Sequence, residues 1–263
     1  MTYAPDAPQT PALGVSAIVS ESLSLLLRNF VAVMLLATIP TLVALTVSGS
    51  LSGWEVALGI SPPIFTGWAD LIPFGVTIMV QLVAYGVSVA LLVQLAYDAK
   101  LTRPVQIGRY VPAALAVALP IAILGLVSGV LMVLGLIALI VPGLWVYAVF
   151  SVMPAAVAIE RLGFSGLGRS ARLTKGYRWP IIGATILIGI MNGVVSAVAV
   201  FVVGLVAGAL GTSGAALVLL ALILAALSGV GYGLSAISTA LIYARLREIK
   251  EGVSVRDIAA VFD

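Results

Sequence analysis

The sequence predicts an all-α, polytopic membrane protein in which six transmembrane helices follow an N-terminal amphipathic helix lying on the membrane surface. Three observations lead there. The 263 residues are 62% hydrophobic and 9% charged, against roughly 45–50% and 25% in soluble globular chains. The 13 basic and 10 acidic residues are bunched, leaving uncharged gaps at 29–54, 71–97, 110–159 and 179–244. A crossing needs about 20 apolar residues, so the first two gaps hold one span each and the last two hold two apiece. Third, the chain has no histidine and no cysteine. That excludes the usual zinc sites, haem ligation by His, thiol catalysis, disulfides and His-based proton relays.

Residues 1–12 are proline-rich, contain Asp6 and hold no Lys or Arg. They lack the basic region that opens a signal peptide and are expected to form a short disordered tail. Residues 13–247 are expected to form the six-helix domain, with the amphipathic helix at 13–30 and a cytoplasmic tail at 248–263. In that helix Val19, Leu23, Leu26, Leu27 and Phe30 share one face, and Ser20, Glu21, Ser24 and Arg28 the other, the pattern of an interfacial helix.

Span 1 covers 31–51, with Pro40 expected to kink it. The loop that follows holds Trp54, Phe65 and Trp68, an anchoring aromatic belt. Span 2, at 74–97, carries Gln81 and Gln94, 13 residues apart. That is about 20 Å along a helix, so each is expected to bond a neighbouring helix separately. Span 3 contains Pro112 and Pro120 and is expected to reverse at Val141-Pro142-Gly143, and Pro154 falls inside span 4. Spans 5 and 6 turn at Gly211-Thr212-Ser213-Gly214. Each is about 30 residues, longer than a bilayer demands, which implies tilt, breaks or extension past the head groups. Asn192 is expected to bond another helix, and five glycine pairs spaced four apart are read as packing positions.

The cations follow the positive-inside rule. Arg28 precedes span 1; Lys100, Arg103 and Arg109 lie between spans 2 and 3; five more lie between spans 4 and 5; Arg245, Arg247, Lys250 and Arg256 follow span 6. The other side holds only Glu55 and Asp70. This predicts a multi-pass protein of a bacterial inner membrane with both termini cytoplasmic. The sequence pI of about 9.3 then reports topology and contact with anionic head groups, not nucleic-acid binding.

Residues 160–179 carry the densest information. Ser165 is read as an N-cap and Gly176 as a C-cap of a short basic helix on the inner surface. At 100° per residue Arg169, Arg172 and Lys175 fall within about 120° of one another, with Leu167, Ser170 and Thr174 opposite. Arg169, Arg172, Lys175 and Arg178 are the candidate lipid or partner contacts. Three readings stand side by side: anchoring on anionic lipid, recognition of a phosphate head group, and docking of a cytosolic protein. Glu160 is expected to pair with a neighbouring cation, because a catalytic Glu would need a second group and only Asp98 lies at comparable depth. No catalytic, metal or cofactor site is predicted.

Val141-Pro142-Gly143-Leu144-Trp145-Val146-Tyr147, Pro154, Glu160, the run from Arg169 to Gly176 with Trp179, then Tyr243-Ala244-Arg245-Leu246-Arg247 and Lys250-Glu251-Gly252 together resemble the membrane domain found beside some bacterial glycerophosphodiester phosphodiesterases. The resemblance implies a stand-alone six-helix inner-membrane fold. It does not bring the phosphodiesterase, which resides in a separate barrel of about 250 residues with a catalytic His. The expected function is therefore a non-enzymatic membrane protein organising lipid or partner proteins, with a homo-oligomer possible. The alternative is a transporter or channel for a small uncharged, zwitterionic or lipidic solute. Ion coupling is disfavoured because the spans hold no charged residue.

Overall fold

A computed structural model describes residues 12–100 and 103–252; of the expected tails at 1–12 and 248–263, residues 1–11 and 253–263 lie outside the described residues. The chain is all-α, and no strand occurs among the described residues. Helix α1 (Val15–Arg28) is followed by α2 (Phe30–Ser52), a single turn α3 (Trp54–Ala57), α4 (Leu71–Lys100) and α5 (Ile107–Ala138). Then come α6 (Ile140–Phe150), α7 (Met153–Glu160), α8 (Gly166–Thr174), α9 (Arg178–Leu210) and α10 (Ala215–Glu251). By length and composition six segments can cross a membrane: α2, α4 with the turn before it, α5, α6 with α7, α9 and α10. This is the pattern of a multi-pass membrane protein.

The six segments close a ring in the order α2, α4, α5, α6, α9, α10 and back to α2, and α4 also meets α10 across it. The main core lies toward the end that carries the cations. There α4 is buried from Ser88 to Asp98, α7 from Ala155 to Ile159, and α10 buries Ile237, Tyr243 and Leu246. Outward faces stay apolar, as at Leu115, Leu119, Ile190, Val194 and Phe201. Hydrocarbon, not water, suits such a surface.

The polar side chains of the spans mostly tie helices together. Gln81 donates to the Ser48 hydroxyl of α2 at 3.3 Å, Gln94 to the Tyr110 carbonyl of α5 at 3.3 Å, and Asn192 to Ser235 of α10 at 2.7 Å.

Several details depart from the sequence reading. Helix α1 packs on α9 and α10, and it buries Ile18, Ser22, Leu25 and Leu26, leaving Leu27 and Phe30 exposed. Its buried stripe is rotated from the expected one because Ser22 can enter the core, donating to the Ile18 carbonyl at 2.7 Å and accepting from Ser238 at 3.0 Å. The reversal after span 3 falls at Leu139, in extended conformation. Val141, Pro142 and Gly143 form the first turn of α6, where a proline's missing N–H has no intrahelical acceptor to lose. Span 4 is split at Ser151 and Val152, with Pro154 in the first turn of α7. The breaks allowed for spans 5 and 6 do not occur. Helices α9 and α10 run unbroken for 33 and 37 residues, about 50 and 55 Å. α10 therefore passes the expected domain end at 247 and reaches Glu251.

Of the five glycine pairs, Gly229 with Gly233 brings two spanning segments into close contact, and Gly49 lies against Trp54 of the single turn α3. A Cβ at Gly233 would lie 2.5 Å from Val33 of α2, whereas the pairs at 125 and 129, 189 and 193, and 204 and 208 face open space. Gly233→Ala is expected to force α2 from α10 and lower stability by about 1–3 kcal/mol, while Gly193→Ala, whose methyl meets open space inside a helix, is expected to keep stability or raise it by up to about 1 kcal/mol. Thermal melting in detergent distinguishes the two.

Candidate functional site

The break in span 4 positions the basic helix. At the end of α6 the last carbonyls have no intrahelical donor. Val149 there accepts the Ser170 hydroxyl at 2.8 Å and shares the Thr174 hydroxyl, at 3.2 Å, with the Ser170 carbonyl at 3.0 Å. Both hydroxyls come from α8, whose other anchor is buried Leu173. Ser165 bonds the Leu162 carbonyl within a preceding turn of 3-10 helix, so it supplies no side-chain cap to α8. Gly176, at φ +88°, turns the chain beyond Lys175, a conformation open to glycine.

Arg161, at φ 52°, turns the chain out of α7 and leaves Glu160 facing α8 and α10. Arg169 reaches Glu160 through Nε at 2.9–3.0 Å and Nη2 at 2.7 Å, while its Nη1 meets Glu251 at 2.5 Å. Arg247 bonds Glu251 at 2.8 Å and stands 3.8 Å from Glu160. The Tyr243 hydroxyl donates to Glu160. Two carboxylates and two guanidinium groups thus alternate in a closed, neutral ring joining α7, α8 and α10. Their side chains are 15–27% exposed. Hydrogen bonding to Glu251, and then to Glu160, holds the Arg169 guanidinium above its ordinary range against the opposing effect of burial.

The four cations chosen from sequence are therefore not equivalent. Arg169 is engaged inside the ring by Glu160 and Glu251. Arg178 lies 5.1 Å from the Trp145 ring centre, and Trp145 stacks edge-on against exposed Trp179. Arg172 and Lys175 are exposed. Their backbone carbonyls are held by Lys250 Nζ at 2.9 and 2.6 Å, a cation placed where a helix C-terminus favours one. Sequence reasoning took Tyr243, Arg247 and Glu251 only as part of the resemblance and did not assign them to this site. The signal available was the i,i+4 spacing of the last two on one helix.

Asp98 and Glu160 sit in separate arrangements. Asp98 accepts the Tyr110 hydroxyl, and neither carboxylate lines the cavities found in the bundle. Among the described residues no three His, Cys, Asp or Glu side chains gather as metal ligands.

Two membrane-level cavities differ in chemistry. A groove of about 510 Å³ between α2, α4 and α5 is wholly apolar, lined by Leu36, Pro40, Met79 and Val111 among others. Inside the arc of α4, α5, α6, α9 and α10 lie adjoining lobes of about 300, 200 and 230 Å³; Ser235 lines all three, and Tyr85, Tyr147 and Asn192 each line two. This cleft sets hydroxyl and amide groups into a largely apolar wall and carries no charge.

No family model, curated protein or solved structure matches the chain.

Arg169→Met leaves two partly buried carboxylates without their shared donor and is expected to cost about 1.5–3 kcal/mol. Arg172→Met on the same helix is expected to cost less than about 0.5 kcal/mol. Chemical or thermal unfolding of the two variants checks the contrast.

Proposed function

We propose that the protein is a non-enzymatic integral membrane protein of a bacterial inner membrane that organises anionic lipid along its cytoplasmic side. One observation carries the reading. A charge-neutral ring and two hydroxyl bonds fix α8 against α6, α7 and α10, so that Arg172 and Lys175 are held outward beside Tyr177 and Trp179. A rigid pair of cations next to interfacial aromatics suits anionic head groups. The placement of all described cations at one end of the bundle supports cytoplasmic termini under the same rule. The engagement of Asp98 with Tyr110 and of Glu160 with Arg169 leaves neither poised as a general acid or base, which supports a non-enzymatic role. The resemblance to the membrane domain beside phosphodiesterases agrees with a six-helix membrane role without chemistry.

Passage of a small uncharged, zwitterionic or lipidic solute is the second reading, favoured by the uncharged cleft with its hydroxyl and amide groups. Saturable flux in proteoliposomes would put it first.

For the lipid reading, the wild type and Arg172→Gln/Lys175→Gln are purified in mild detergent and their bound lipids quantified by mass spectrometry. Each cation near an anionic surface is worth about 1 kcal/mol, so loss of anionic over zwitterionic lipid by roughly fivefold per residue is expected. Unchanged lipid with loss of a stoichiometric protein partner would replace lipid organisation by protein docking.

A further inference from the structure

Asn192 lies on α9 where the lobes of the cleft meet. Its Nδ2 donates to Ser235, but Oδ1 is buried and has no partner. Turning the amide over exchanges the two ends and leaves the nitrogen unpartnered instead. A buried polar atom in this position is costly unless something in the cavity bonds it. The backbone opposite is glycine: a Cβ at Gly231 would stand 3.3 Å from Oδ1. Space is thus kept beside the free end of the amide.

The rest of the wall narrows the chemistry. Tyr85 and Tyr232 pack edge to face at 5.6 Å, and Tyr147, Ser235 and Thr239 add hydroxyls from α6 and α10. No Asp, Glu, Lys or Arg lines any lobe, so a charged or phosphorylated molecule would lose its hydration with no counter-ion to replace it. Hydroxyl groups both donate and accept, and they match the amide whichever way it is turned. Aromatic faces suit the C–H surfaces between those hydroxyls.

We infer that this cleft is a binding site for a small, neutral, polyhydroxylated solute, with Asn192 as its principal hydrogen-bonding residue. The absence of cations in the lining favours a free polyol over one attached to a lipid phosphate. The inference deepens the solute reading and rests on it in using the same cleft, yet binding and flux are separate readouts: saturable binding without flux keeps the site and discards passage.

The test is equilibrium binding of radiolabelled glycerol, erythritol and xylitol to the detergent-purified full chain, with glycine betaine and lactate as zwitterionic and anionic controls. Saturable binding of at least one polyol is expected, with neither control competing. Asn192→Leu is expected to weaken it at least tenfold. Gly231→Ala removes no polar group and fills the space beside Oδ1, so it should weaken binding without lowering the melting temperature; it decides the matter if Asn192→Leu does not fold. No saturable polyol binding, preference for betaine or lactate, or wild-type affinity in the folded variants would overturn the assignment.

Discussion

Arg169 is shared between two carboxylates from different helices, and the arrangement of the charged end depends on that sharing. Glu160 ends α7 and Glu251 ends α10, while Arg169 sits in the middle of α8. One planar guanidinium therefore joins three elements, a task its forked donors suit and a lysine ammonium would perform poorly. Arg247 closes the ring from α10. The ring is neutral, so the exposed charge that α8 and the residue after it present comes from Arg172 and Lys175, which it holds in place.

The same end of the bundle solves a backbone problem. A helix interrupted near a membrane must bond its freed groups within the protein. Pro154 has no N–H to offer the turn before it, and the segment divides at Ser151 and Val152. Ser170 and Thr174 then bond the Val149 carbonyl. The small residues between the arginines of α8 are therefore as necessary as the arginines. Farther into the bundle, the short α6 borders the cleft, where Tyr147 and Ser151 face α9 and α10.

Helix number and the clustering of cations could be read from the sequence, because uncharged runs of known length admit few alternatives. Local features whose meaning depends on the partner were less legible. Val141-Pro142-Gly143 has the composition of a turn, but the same residues fit the first turn of a helix, and close approach of Gly135 to Gly143 lets α5 and α6 reverse at Leu139, two residues earlier. Glycine pairs look alike until a second helix is present: Gly233 meets Val33, and Gly193 meets nothing within 4 Å. Arg169, Arg172 and Lys175 share a helical face, yet only Arg169 comes within reach of Glu251, 82 residues away. Spacing along one helix contains no information on that distance. Asn192 was legible as an interhelical bond, whereas its unpartnered oxygen required the cavity to be seen.

The central claim is that the ion-pair ring holds α8 in place from outside that helix. Hydrogen–deuterium exchange of the backbone amides of residues 166–174, measured in lipid nanodiscs for the wild type and Glu251→Gln, tests it most directly. The ring account predicts faster exchange throughout α8 in the variant, although the substitution lies at the end of α10. Unchanged protection of α8 would contradict it and would leave the Ser170 and Thr174 bonds as the sole anchors.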